Sequence, residues 1–189
     1  MTLKKKSLAI TLFAFLLNGC ASVPSHLIVT PEILTQTSMQ YVDKQATINV
    51  IDMRTANQIV QILREGEAAT LLSAQSRLEE TIENSLKKHW QQQGLSFQDT
   101  AVNSITIAIE SALISVSQET LKYQAQSKIV LKVTVNNGEQ TLTSSFKNSG
   151  SSNGPFKADI AVLERNFNQR LANLLQQILA NKKINHFLK

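Results

Sequence analysis

The sequence predicts an α+β domain: an antiparallel sheet, made of a three-stranded meander plus an N-terminal strand or two, packed against two amphipathic helices. Three observations carry this expectation. Two segments, 74–93 and 157–181, repeat apolar residues every three to four positions. Between them, residues 104–146 alternate apolar and polar side chains around Asn137-Gly138, a strong two-residue hairpin signal. Ahead of both, "ATINVIDMR" (46–54) has the β-branched composition of a strand.

The chain opens on Lys4-Lys5-Lys6 and then ten apolar residues, "LAITLFAFLL" (8–17). A membrane-spanning helix needs about 20 residues, so this run has the length of a secretory h-region instead. Leu17-Asn18-Gly19-Cys20 follows, and Cys20 is the only cysteine of the 189 residues. An intramolecular disulfide is therefore excluded. The four residues resemble the lipobox of bacterial lipoproteins, with Leu17 at −3, Asn18 at −2, Gly19 at −1 and Cys20 as acceptor. The resemblance implies a diacylglyceryl group on the Cys20 thiol, cleavage before Cys20, and acylation of the new amine by chains of the palmitate kind. Each buried CH₂ adds about 0.8 kcal/mol, so two or three chains make an effectively permanent anchor.

The expected organisation is a signal peptide over 1–19, a lipidated N-terminus and tether over 20–45, and a single periplasmic α+β domain over 46–189. Pro24 and Pro31 discourage helix in the tether, but "HLIVTPEIL" (26–34) is apolar enough that part of it should dock on the domain. The formal charge of +5 includes three signal lysines; without them, 16 basic residues face 14 acidic ones, or +2. With no Lys/Arg block and no interleaved aromatics in the mature chain, nucleic acid is not an expected partner.

Along the mature chain, 46–54 is followed by a second short strand candidate, "QIVQIL" (58–63), ended by Glu65-Gly66-Glu67. The helix over 74–93 aligns Leu78, Ile82, Leu86 and Trp90, with Glu79, Glu80 and Glu83 early and Lys87, Lys88 and His89 late, as the helix dipole favours. Gly94 is a natural stop, with Leu95 as its hydrophobic contact. In 104–117 the inward phase slips from Ile105, Ile107 and Ile109 to Ala112, Ile114 and Val116, predicting a bulge near 110–112. The odd positions from Leu121 to Val135 read as one strand face, and the return strand 139–146 turns Leu142 and Phe146 inward. "NSGSSNGP" (148–155) reads as a flexible loop. The last helix buries Ile160, Leu163, Phe167, Leu171, Leu174 and Ile178, and "INHFLK" pins the C-terminus.

Chemistry-bearing constellations are sparse. His26, His89 and His186 have no metal-ligand spacing, so no metal is expected. There is no Gly-x-Ser-x-Gly elbow and no phosphate-cradling glycine loop. Cys20 is taken by lipid, so thiol catalysis is closed. Asp52 and Glu110 lie on strands, but nothing places them together as a glycan-cleaving pair would need. The expectation is a protein without catalytic residues or cofactors. Asp52 and Arg54 are the candidate polar binding residues: their i, i+2 spacing puts both on one strand face, as a ligand handle or a strand-end ion pair.

The mature chain resembles the YajG-type family of bacterial outer-membrane lipoproteins. The resemblance rests on Leu-x-Gly-Cys, "VTPEI" (29–33), Asp52-x-Arg54-Thr55, "SRLEETIENSLKKHWQQQG" (76–94), "KYQAQSKIVLKVTVNNG" (122–138) and "INHFL" (184–188). It implies a small lipoprotein without an established enzymatic activity. Ala21 and Ser22 follow the cysteine where Asp would hold a lipoprotein at the inner membrane; by analogy the body faces the periplasm of a Gram-negative bacterium from the outer membrane. Two functions are compatible with this. One is a non-catalytic interaction or envelope-maintenance module, with membrane lipid bound through acylated Cys20, an envelope protein or cell-wall partner, and self-association through sheet edges. The other is an auxiliary lipoprotein of a lipid or solute transport system that holds an apolar ligand.

Overall fold

The computed structural model describes residues 25–34 and 38–189. Its strands are β1 (His26–Leu27), β2 (Gln45–Asp52), β3 (Gln58–Arg64), β4 (Thr70–Ala74), β5 (Ser96–Phe97), β6 (Asn103–Gln118), β7 (Lys122–Asn136) and β8 (Thr141–Pro155). The helices are α1 (Leu78–Gln92), α2 (Ile160–Leu179) and α3 (Lys182–Phe187).

The expected antiparallel sheet on two helices is not what forms. All eight strands join one mixed sheet in which β1–β4, β2–β5, β2–β6 and β3–β6 are parallel, four pairings against three antiparallel ones, and a third helix closes the chain. Parallel neighbours need a long crossover, and the segment from β3 through α1 to β5 supplies it. The connection over 53–57 is short enough to suggest a hairpin, but it makes a jog instead. Strand β2 pairs Ala46–Asp52 with Asn103–Ile109, and β3 then pairs Val60–Arg64 with Ile114–Gln118, along the same edge of β6 and in the same direction. The other edge of β6 is covered by β7, with a register shift between Ile109 and Ser111.

The segment 148–155 is a second correction. It is the second half of β8, paired residue for residue with Lys122–Ile129. Its Ser, Gly and Asn residues carry little strand propensity, but a full ladder partner fixes the backbone regardless. Gly150 has a further use. A Cβ there would collide with the guanidinium of Arg170, which crosses β8 from α2 and donates to the Asn148 side-chain oxygen at 3.2 Å.

The core lies between one sheet face and the helices. Leu78, Ile82, Leu86 and Trp90 bury the stripe of α1, and Phe167, Leu171, Leu174, Leu175 and Ile178 that of α2. Ile105, Ile107, Ile109, Leu131 and Val133 meet them from the sheet. Helix α1 ends where its sequence stops it: Gly94 N–H donates to the Gln91 carbonyl and Leu95 N–H to that of Trp90, with Gly94 at φ 91°. The backbone of Tyr41 and Val42 packs within 3.4 Å of where a Gly94 Cβ would sit, so a side chain here would be both crowded and strained. Residues 25–34 lie along α2: Leu27, Val29 and Ile33 are buried, Ile28 N–H donates to Glu164 at 2.7 Å, Thr30 N–H donates to Asn168 at 2.9 Å, and the Gln176 amide donates to the Leu34 carbonyl at 2.8 Å. The sheet's other face has no helix on it among the described residues.

Candidate functional site

The jog between β2 and β3 is where a ladder would leave carbonyls orphaned. The pairing of β2 with β6 stops at Ile109, that of β3 begins at Val60 opposite Ile114, and the β6 bulge lies between them. Arg54 fills this gap. Its Nη1 donates to the Gln58 carbonyl at 3.3 Å and to the Ala112 carbonyl at 3.2 Å. Its Nε and Nη2 grip the Asp52 carboxylate at 2.9 and 2.7 Å, and its backbone N–H donates to the same carboxylate at 3.1 Å. Side-chain exposure is 8% for Arg54 and 18% for Asp52. Burial works to raise the Asp52 pKa, but the hydrogen bonds and charge of Arg54 outweigh it and hold the carboxyl below its ordinary value. The two residues singled out from the sequence are thus brought together, with most of their hydrogen-bonding capacity already used inside the fold.

Beside this pair is a polar cleft of about 430 Å³, lined by Asn57, Ser73, Gln75, Ser76, Arg77 and Glu79. Arg77 precedes α1 and pairs with Glu79 at 2.6 Å and Glu80 at 3.3 Å, so its charge is largely answered locally. Glu110 does not join Asp52. Asp52 is level with Ile109, whose side chain is in the core, whereas Glu110 sits in the bulge and is exposed. His26, His89 and His186 stay in separate elements, β1, α1 and α3. Among the described residues no three metal-ligating side chains converge. Leu17, Asn18, Gly19 and Cys20 lie outside the described residues.

A second polar cluster locks the N-terminal region to the C-terminus. The Tyr41 hydroxyl donates to Asn185 at 2.7 Å. Burial pushes that hydroxyl up to about 12, tempered by the neighbouring Trp90 indole N–H. The approach of the two groups falls short of hydrogen-bonding geometry, so the indole N–H is buried and unsatisfied. Between the sheet and α2, the gap touching Ile114, Ala125 and Leu163 holds only about 10 Å³. A small-molecule pocket takes roughly 300–1,000 Å³, so that gap is not room for an apolar ligand. A hollow of about 490 Å³ lies on the open sheet face among Ser111, Ser115, Gln126, Lys128 and Ser149, and a larger one of about 820 Å³ lies at the sheet end among Arg64, Gln118, Lys122 and Lys157.

Sequence reasoning missed one feature of the sheet's end. Leu121 was expected on the inward face of a strand, but β7 starts at Lys122 and Leu121 projects from the turn, 71% exposed. Phe156, just after β8, is 66% exposed. Its neighbours Pro155 and Lys157 gave no periodic signal that could have revealed this.

The scaffold is thus a mixed eight-stranded sheet with helices on one face and residues 25–34 docked against α2. Comparison with known proteins supplies the class. A family model described as an uncharacterised lipoprotein matches residues 31–189. The chain is 24% identical over 188 residues to the uncharacterised lipoprotein YajG of Escherichia coli strain K12, covering 98% of this chain and 97% of that one; YajG of strain O6:H1 matches to the same extent. The crystal structure of protein XCC0632 from Xanthomonas campestris shares the fold, with a TM-score of 0.58 at 12% identity, covering 84% of this chain and 96% of that one. The chain belongs to the YajG-type family of lipoproteins.

Proposed function

We propose that this lipoprotein is a non-catalytic interaction module, held at the periplasmic face of the outer membrane by acyl chains on Cys20. Its surface for partners is the open side of the sheet. The observation that carries this reading is β8. It is a 15-residue strand paired only with β7 among the described residues, so its outer edge offers a row of free backbone donors and acceptors. Such edges recruit another strand unless they are short, charged or covered. Strand β8 is long and carries a single charge, Lys147. The Asp52–Arg54 seam, with its polar atoms engaged, supports a structural role for that pair. The Leu-x-Gly-Cys start supports the anchor, and Ala21-Ser22 supports the outer membrane.

Photoreactive residues at Ser145, Ser149 and Ser151, introduced in the native host, test the reading. Discrete covalent adducts from these positions, absent from equivalent residues on the outer face of α1, are expected. Equal yields from both surfaces would refute the β8 assignment. Mass spectrometry of the mature N-terminal peptide tests the anchor: a triacylated Cys20 is expected, and an unmodified peptide would refute it.

A further inference from the structure

We propose that one end of the sheet, tipped by Leu121 and Phe156, rests in the membrane interface beside the lipid anchor and fixes how the domain stands on the bilayer. This inference rests on the reading of Cys20 as the acylated residue.

The argument starts from where the chain enters. Strand β1 runs parallel to β4, with His26 level with Ser73. Adjacent Leu72 pairs with Val60, and Val60 pairs with Ile114. Traced backward from His26, the chain therefore heads towards the C-terminal end of β6. From Ile114 to Gln118 is four residues of strand, about 13 Å; back to Asn103 is eleven residues, about 36 Å. Cys20 to Ser25 is five residues, at most about 18 Å when fully extended. Cys20 can therefore reach the plane of the near end and cannot reach the far one. The lipid therefore holds the near end, and not the far one, beside the bilayer.

That end is built for such contact. Leu121 and Phe156 both project into solvent there, 71% and 66% exposed. They are firmly placed: Phe156 N–H donates to the Leu121 carbonyl at 2.8 Å, the Gln118 amide donates to the Phe156 carbonyl at 2.7 Å, and Ala158 N–H donates to the Gln118 side-chain oxygen at 2.9 Å. Phe156 sits at φ 61°, a left-handed conformation that is unfavourable for a bulky side chain. The residue, two-thirds exposed, buries little apolar surface in the fold, and an interfacial bilayer contact gives it a use. The charges around it are nearly balanced. Arg64 is 3.7 Å from Glu67 and Lys122 is 3.3 Å from Glu119, with Lys157 alongside. The contact is therefore apolar in character and does not require anionic lipid.

The test uses the acylated full chain in zwitterionic phosphatidylcholine vesicles. With the native cysteine blocked by lipid, spin labels go only to Thr120→Cys or Lys157→Cys at the near end, or to Val102→Cys at the far end. These positions leave Leu121 and Phe156 intact. Labels at 120 and 157 are expected to be several-fold less accessible to a water-soluble nickel complex than the label at 102, and to be reached by oxygen. Adding Leu121→Ser and Phe156→Ser should raise nickel access at 120 several-fold, with the thermal unfolding midpoint unchanged or higher. If vesicles keep the protein through a salt wash but all three labels are equally accessible, this inference fails and the anchor stands. If the wash strips the protein, the anchor reading fails and this inference with it.

Discussion

The β2–β3 seam and the outer edge of β8 are both places where a hydrogen-bonded ladder stops, and the molecule treats them in opposite ways. At the seam, two carbonyls that lose their strand partners receive the guanidinium of Arg54, and Asp52 holds that guanidinium in place. At β8, the backbone groups of alternate residues, those facing away from β7, are left for solvent or a partner. The difference follows from burial. An orphaned carbonyl inside the fold costs about 1–3 kcal/mol, whereas one on an edge is satisfied by water. A closed interruption therefore indicates an architectural need, and an open one marks where the molecule can still form bonds.

The largest perturbation lies beneath both regions. Leu171→Asp puts an unpaired charge into the helix face that the sheet covers. Loss of the cooperative thermal transition is the expected result, and an unchanged transition would refute the core assignment. Next is Arg54→Met, which keeps the bulk but abandons Asp52 and two carbonyls. Breaking a buried pair costs about 3–5 kcal/mol; with Asp52 partly exposed, about 2–3 kcal/mol is expected by chemical denaturation. A change below half a kcal/mol would mean that water replaces the guanidinium freely and that the seam is not closed by Arg54.

The same variant should weaken or reverse a pH dependence. In the native chain the Asp52 carboxyl titrates lower than in the unfolded chain. It therefore stabilises above its unfolded pKa, and that contribution is lost as pH falls through the folded value. Without the guanidinium, only the backbone N–H of residue 54 still opposes burial, so the folded pKa should rise and protonation should cost the folded state less or favour it. Stability measured between pH 6 and pH 2 should show a flatter or inverted acid limb in Arg54→Met. A smaller effect is expected from Tyr41→Phe, which leaves the Asn185 oxygen without its donor and should cost about 1–2 kcal/mol.

What the sequence displays of this arrangement depends on how local each feature is. The helices were legible because Leu78, Ile82, Leu86 and Trp90 repeat within one element, and the α1 stop because Gly94 and Leu95 act on the turn just before them. The bulge was legible as a slip in alternation between Ile109 and Ala112. The parallel pairing of β2 with β6 was not, because the partners are more than fifty residues apart and their register is set by shared burial. For the candidate site, the i, i+2 spacing showed that Asp52 and Arg54 could meet. It did not show that Arg54 would also bond Ala112, a carbonyl orphaned by that distant bulge. In β8, composition misled because Ser149 and Ser151 take their conformation from β7.

The smallest expected effect on stability tests the comparison most sharply. Ser149→Lys adds a charge to an exposed position of β8 and removes no hydrogen bond that the fold uses, so stability should stay within about 0.5 kcal/mol of the native chain. Charge on an edge strand is nevertheless a standard way to discourage strand addition. If β8 is where partners attach, this near-silent substitution should sharply reduce the covalent adducts formed from Ser145 and Ser151. Arg54→Met, far more damaging to stability, should leave those adducts intact at temperatures where the variant is folded. The opposite outcome, adducts lost with the seam and kept with the charged edge, would move the binding surface from β8 to the cleft beside Asp52.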